Sequence, residues 1–157
     1  MFRLSQEGED FVKNELTRYE DRRSAILPAL FRAQKENDGW ISGECITYLS
    51  SLMDMPERLI EEVFSFYTMY NKKPVGKYHV QVCTNVSCAM NGGRELFNYL
   101  CKTYDATPEE MTADGRFTFS KVECLGSCGT APMMQVNEDY HENLTPDSAA
   151  ALLNGMK

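Results

Sequence analysis

Two pairs of cysteines constrain this chain more than anything else in it: V-C-T-N-V-S-C-A-M-N-G-G at residues 82–93 and V-E-C-L-G-S-C-G-T-A-P at residues 122–132. Cys83 and Cys88 are spaced C-x4-C, Cys124 and Cys128 are spaced C-x3-C, and thirty-five residues separate the pairs. Each pair follows a stretch that reads as a strand and lies among glycines and other small residues. Such loops can turn two thiolates toward one point while backbone N–H groups face the sulfurs.

The compartment decides how six cysteines are read. No apolar run approaches the ~20 residues that span a bilayer. The start, M-F-R-L-S-Q-E-G-E-D-F, lacks the apolar core of a secretory signal and is too acidic for a transit peptide. The expectation is a cytoplasmic protein, or one on the cytoplasmic side of a membrane complex, with no direct membrane insertion. Thiols stay reduced there, so the cysteines are ligands, reactive groups or core residues rather than a disulfide framework. A net charge of -7 with scattered basic residues argues against nucleic acid as a partner. A hydrophobic content of 43% with 25% charged residues is that of an ordinary globular protein.

Periodicity divides the chain into two parts. Up to about residue 72 the apolar residues recur at helical spacing. The stripes are Phe11, Val12, Leu16 and Tyr19; then Ile26, Leu27, Leu30, Phe31 and Ala33. Ile46, Leu49 and Leu52 follow, and after Pro56 come Leu59, Ile60, Val63, Phe64 and Tyr67. Pro28 inside the second stripe predicts a late start or a kink there. N-K-K-P-V-G at 71–76 marks a boundary, giving a helical bundle over 1–72 and a second domain over 73–157. In that domain Lys77–Val82 alternates as a strand and Gly93–Tyr104 is helical. Phe117–Val122 and Met133–Val136 are strands, Glu138-Asp139 turns into Tyr140-His141, and Thr145-Pro146 opens a last helix. The fold class is α+β with a mixed sheet.

Cys101 lies in line with Phe97, Leu100 and Tyr104 on a helical stripe, and Cys45 stands beside Ile46 and Leu49. Both read as small core residues. For the other four, three chemistries compete. Dithiol exchange uses C-x-x-C at a helix N-terminus, and neither pair has that spacing. Zinc takes four cysteines with gaps of this size. A 2Fe-2S cluster also takes four thiolates, with room for bridging sulfides and N–H donors. Spacing alone leaves zinc and iron level, and the small residues Ser87, Gly92, Gly93, Gly126, Ser127 and Gly129 favour the cluster slightly.

The motifs extend further than the ligand loops. G-W-I-S-G-E-C-I-T-Y-L and V-F-S-F-Y-T-M-Y precede them, and N-E-D-Y-H-E-N-L-T-P-D follows. Together they resemble the thioredoxin-like 2Fe-2S subunit of the NADH-oxidising module of respiratory complex I, from about residue 20 to 153. The resemblance implies a helical bundle joined to a thioredoxin-like ferredoxin domain, with Cys83, Cys88, Cys124 and Cys128 as ligands of one 2Fe-2S cluster. Backbone N–H groups near Gly92, Gly93, Gly126 and Gly129 are then expected to donate to sulfur. The resemblance also implies a partner flavoprotein subunit that holds FMN and binds NADH. The same module occurs in NAD-linked hydrogenases and formate dehydrogenases, and a zinc scaffold held by the four cysteines is the alternative of another class. Ser42 departs from the proline common in such proteins, away from the ligands.

Other chemistry is not legible. The chain has neither G-x-G-x-x-G nor a P-loop, and N-G-G-R-E at 91–95 reads as a close chain passage opening a helix. His79 and His141 fall in strands rather than in ligand loops, which excludes a Rieske arrangement. Phe64, Phe66, Tyr67 and Tyr70 read mainly as core, the alternative being that part of the group forms the seam between the two domains or an interface with the flavoprotein.

Overall fold

Local signals begin each element of the first part. In the computed structural model, which describes residues 1–156, Ser5 caps α1 (Gln6–Arg18) by accepting from the Gly8 N–H at 3.1 Å. A 3-10 turn over Arg22–Ala25 leads into α2 (Ile26–Glu36), so Pro28 falls in the first turn. An N–H missing there costs no intrahelical bond, and the helix needs no kink. α3 (Gly43–Met53) is capped by Ser42 and ends on Asp54 in the left-handed region, and α4 (Glu57–Phe66) follows Pro56. The apolar stripes converge on one core of Val12, Ile26, Leu30, Cys45, Leu49, Met53, Ile60 and Tyr70. The Tyr70 hydroxyl donates to the Leu27 carbonyl at 2.9 Å, which satisfies a phenol buried at 2% exposure. Phe66 departs from the expected core: it is 77% exposed at the end of α4.

The chain divides into two compact units, Met1–Pro74 and the remainder from Val75. The second is built on a four-stranded sheet in the order β2-β1-β3-β4. β1 (Tyr78–Cys83) pairs parallel with β2 (Phe117–Val122) and antiparallel with β3 (Met134–Val136). β4 (Asp139–His141) closes the edge as a hairpin with β3. The crossover between the parallel strands carries α5 (Val86–Met90) and α6 (Gly93–Thr103). α7 (Pro146–Gly155) ends the chain behind a capping box at Thr145.

Alternation sets the buried face. Val80 and Val82 of β1, Phe117 and Phe119 of β2, and Met134 and Val136 of β3 meet Leu96, Phe97 and Leu100 of α6 and Leu153 of α7. β2 is buried on its other face as well, because the segment before it folds back: the Glu109 N–H donates to the Phe119 carbonyl and Met111 bridges Thr118. The mixed sheet expected from the sequence is present. α5 is the element that periodicity did not show, since five residues are too short to display a helical repeat.

Candidate metal centre

The two cysteine loops leave the same end of the sheet because β1 and β2 run parallel. Cys83 is the last residue of β1 and lies opposite Val122, the last of β2, two positions before Cys124. The Thr84 N–H donates to the Val122 carbonyl at 2.9 Å, so the loops begin side by side. In open α/β sheets, the space beyond the carboxyl ends of neighbouring parallel strands is where ligands sit.

Cys83 and Cys88 form the inner pair, both buried, on a floor of Met133, Leu125 and Ala131. Asn85 caps α5 by accepting from the Val86 N–H, and this turn brings Cys88 back against Cys83. Gly93 makes the approach possible. A Cβ there would stand 2.7 Å from the Cys83 carbonyl oxygen and 2.9 Å from that of Cys88. The chain passes close at this glycine and α6 opens, as expected from N-G-G-R-E.

Burial pushes the Cys88 thiol up. Its hydrogen bond with Cys83 adds to this, the Met133 N–H works against it, and the charges of Cys83 and Cys128 add smaller effects. A thiol so placed keeps its proton until a cation replaces it.

Cys124 and Cys128 are exposed and lie on the loop from β2 to β3. Gly126, at φ +80, lets its N–H turn back to Cys124 Sγ at 3.4 Å. Of the N–H donors expected at four glycines, this one points at sulfur. The Gly92 N–H goes instead to the Ala89 carbonyl, and the donor to Cys88 comes from Met133.

Side chains outside the motifs hold this outer loop. Ser87 Oγ donates to the Cys128 carbonyl at 2.9 Å and ties the two loops together. The Tyr140 hydroxyl donates to the Leu125 carbonyl at 2.8 Å. Glu142 Oε1 accepts from Ser127 Oγ and from Thr130 Oγ1. These partners lie more than ten residues from the loop positions they hold, beyond the reach of local pattern.

Among the described residues, no three His, Cys, Asp or Glu side chains are gathered to hold a single metal ion. The thiols stand as an inner, buried pair and an outer, exposed pair, with Cys83 Sγ donating to the Glu123 carbonyl at 3.8 Å. Beside them a surface depression of about 470 Å³ is lined by Thr84, Asn85, Val86, Ala89, Met90 and Arg94, with Glu123. Cys45 is buried in the helical core and Cys101 is half-buried on α6 beside Tyr104, both as small packing residues.

His79 is tied into the fold. Ser120 Oγ donates to Glu109 at 2.9 Å and lies 2.8 Å from His79 Nε2. The single hydroxyl proton is committed to Glu109, so His79 Nε2 carries a hydrogen and donates. Burial holds the His79 imidazole below its usual range, with Glu109 opposing. His141 sits in β4.

The model of the thioredoxin-like 2Fe-2S ferredoxin family matches residues 12–157. The chain belongs to that family. Relatives agree over nearly its whole length. The E subunit of the NADH-quinone oxidoreductase of Rickettsia bellii is 41% identical over 96% of this chain and 89% of its own. NADH-quinone oxidoreductase subunit 2 of Thermus thermophilus is 44% identical, covering 95% of this chain and 83% of its own. Among solved structures, an NAD+-reducing NiFe hydrogenase in its air-oxidised state superposes with a TM-score of 0.70 and 25% identity over 82% of this ferredoxin-family chain. The chain spans 22% of the length of that hydrogenase chain.

Proposed function

We propose that this chain is an electron-transfer subunit that carries one 2Fe-2S cluster beside the flavin of a partner NADH-oxidising flavoprotein, as in NADH:quinone oxidoreductase. The observation that carries the reading is the placement of both cysteine pairs at one end of the parallel strands, in a chain related along its length to the E subunits of that enzyme. Cys83, Cys88, Cys124 and Cys128 are the proposed ligands.

The donor set fits the group. A mononuclear zinc site needs its ligands converging on one ion, whereas a 2Fe-2S cluster divides four thiolates between two irons. An inner pair and an outer pair suit the second arrangement better. Bound there, such a cluster supplies a one-electron centre, with a potential of the order of -400 mV or somewhat above for a thiolate-ligated site. The residues of this chain supply its surroundings. Met133, Leu125 and Ala131 exclude water on the inner side, and the N–H groups of Met133 and Gly126 are placed to stabilise thiolate charge. The exposure of Cys124 and Cys128 leaves one edge near the surface, where a flavin held by another protein chain can exchange electrons.

The chain has no complete active site in this reading: FMN and NADH belong to the partner. The location is the cytoplasmic peripheral arm of a membrane-bound complex, and among the described residues no helix is long and apolar enough to cross a membrane. The hydrogenase likeness keeps a second assembly in view, an NAD-linked hydrogenase module, in which the cluster and its flavin neighbour would be the same.

Anaerobic purification followed by iron, sulfide and zinc analysis tests the reading. Roughly two irons and two sulfides per chain, with a visible absorption that bleaches on dithionite, are expected. Replacing any of Cys83, Cys88, Cys124 or Cys128 with Ser lowers the iron content, and replacing Cys101 does not. One zinc per chain without sulfide or colour would overturn it. Co-purification with a flavoprotein, and reduction of quinone rather than oxidation of hydrogen by the assembly, identifies the complex.

A further inference from the structure

We infer that Glu142 is a positioning residue for the cluster: its carboxylate gathers the outer cysteine loop, and its charge biases the site toward the oxidised state. The inference rests on the 2Fe-2S reading proposed above and concerns a side chain outside both cysteine motifs.

The geometry is specific. Glu142 follows β4 directly, and its Oε1 accepts from Thr130 Oγ1 at 2.7 Å and also from Ser127 Oγ. Those two hydroxyls lie 2.8 Å apart and flank Cys128 in sequence, with Thr130 Oγ1 also 3.2 Å from the Ser127 carbonyl. One carboxylate oxygen thus fixes both ends of the short turn that carries Cys128. The same stretch adds backbone ties: the Asn143 N–H donates to the Thr130 carbonyl at 2.8 Å and the Leu144 N–H to that of Pro132 at 3.0 Å. Tyr140 reaches the other arm of the loop at Leu125.

The outer loop needs such a tether. Cys124 and Cys128 are exposed, and Cys128 meets the inner loop through the Ser87 hydroxyl at its carbonyl. Hydrogen bonds to an ionised acceptor are the stronger class. A fixed anion next to a cluster that gains negative charge on reduction also opposes that reduction, and for an exposed group this effect weakens with salt.

Two substitutions in the full chain, loaded without oxygen, separate these contributions. Glu142→Gln keeps an oxygen able to accept both hydroxyls and removes the charge. Glu142→Ala removes both. The readouts are the rate at which the visible absorption is lost to an iron chelator, and the reduction potential at low and high ionic strength. Release is expected up to about tenfold faster in Glu142→Ala and close to wild type in Glu142→Gln. At low salt the potential rises in Glu142→Gln relative to wild type and to Asp139→Asn, and the difference shrinks at high salt. If Glu142→Ala fails to load, Ser127→Ala with Thr130→Val removes the donors and keeps the charge, with faster release expected. Wild-type release from that pair or from Glu142→Ala, or an unchanged potential in Glu142→Gln, would overturn the inference while leaving the cluster assignment standing. A wild-type chain that binds no iron and sulfide would overturn both.

Discussion

Gly93 shows how tightly single residues are specified around the cysteines. Its Cα is packed against the Cys83 and Cys88 carbonyls, so Gly93→Ala forces a methyl group into backbone that cannot move aside as a flexible side chain could. The expected result is a lower iron content per chain, measured against Gly155→Ala, where the added Cβ meets open space. Cys45 is a contrasting case. It is buried among Ile46, Leu49 and Met53 with its sulfur 3.3 Å from Ser42 Oγ, so Cys45→Ser changes packing and not iron. Tyr70→Phe removes the hydroxyl's hydrogen bond to the Leu27 carbonyl and is expected to cost about 1 kcal/mol in chemical denaturation.

Elements in the second unit depend on the side chains that start and cover them. α7 begins with a reciprocal cap in which Thr145 Oγ1 accepts from the Ser148 N–H at 3.1 Å and Ser148 Oγ accepts from the Thr145 N–H at 2.9 Å. Thr145→Ala should lower stability by about 1 kcal/mol, since it leaves helix N–H groups to water. β2 presents a larger effect. Phe119 has no exposure and stacks on Tyr104 with ring centroids 5.6 Å apart. Phe119→Ala is expected to destabilise by about 3–5 kcal/mol through lost burial and a cavity under α6, seen as an earlier denaturation midpoint. The strands and long helices were legible because their apolar residues keep one period over enough positions. α5 was not, because its helix is held by the Asn85 cap and by packing of Cys88 rather than by a repeat.

For the whole molecule, pH acts through His79 and through the half-buried carboxylate of Glu36. Burial favours neutral His79, so the unfolded chain takes up a proton first as pH falls below about 6.5. The unfolded state then binds more protons and stability falls with decreasing pH across that range. His79→Gln should flatten this part of a denaturation-versus-pH curve. At lower pH a second loss follows, because Glu36 is held below the usual carboxylate range, burial being outweighed by the Ser5 N–H and hydroxyl and by Arg32. That carboxyl is ionised in the fold and its contribution disappears as it protonates. Glu36→Gln should remove it, as read by thermal unfolding near pH 4.

The sequence by itself determined the change from helical to alternating period near residue 72, the strand after which each cysteine pair lies, and the family to which those motifs point. These are local facts, set by spacing along the chain. The tertiary structure decided which pair is buried and which exposed, that Met133 and Gly126 supply the N–H groups near sulfur, and that Ser87, Tyr140 and Glu142 hold the outer loop. Those relations depend on the register of β1 with β2 and β3 and on the β3–β4 hairpin. Strand pairing joins residues far apart in the chain, and no periodicity in one segment carries information about the partner it will meet.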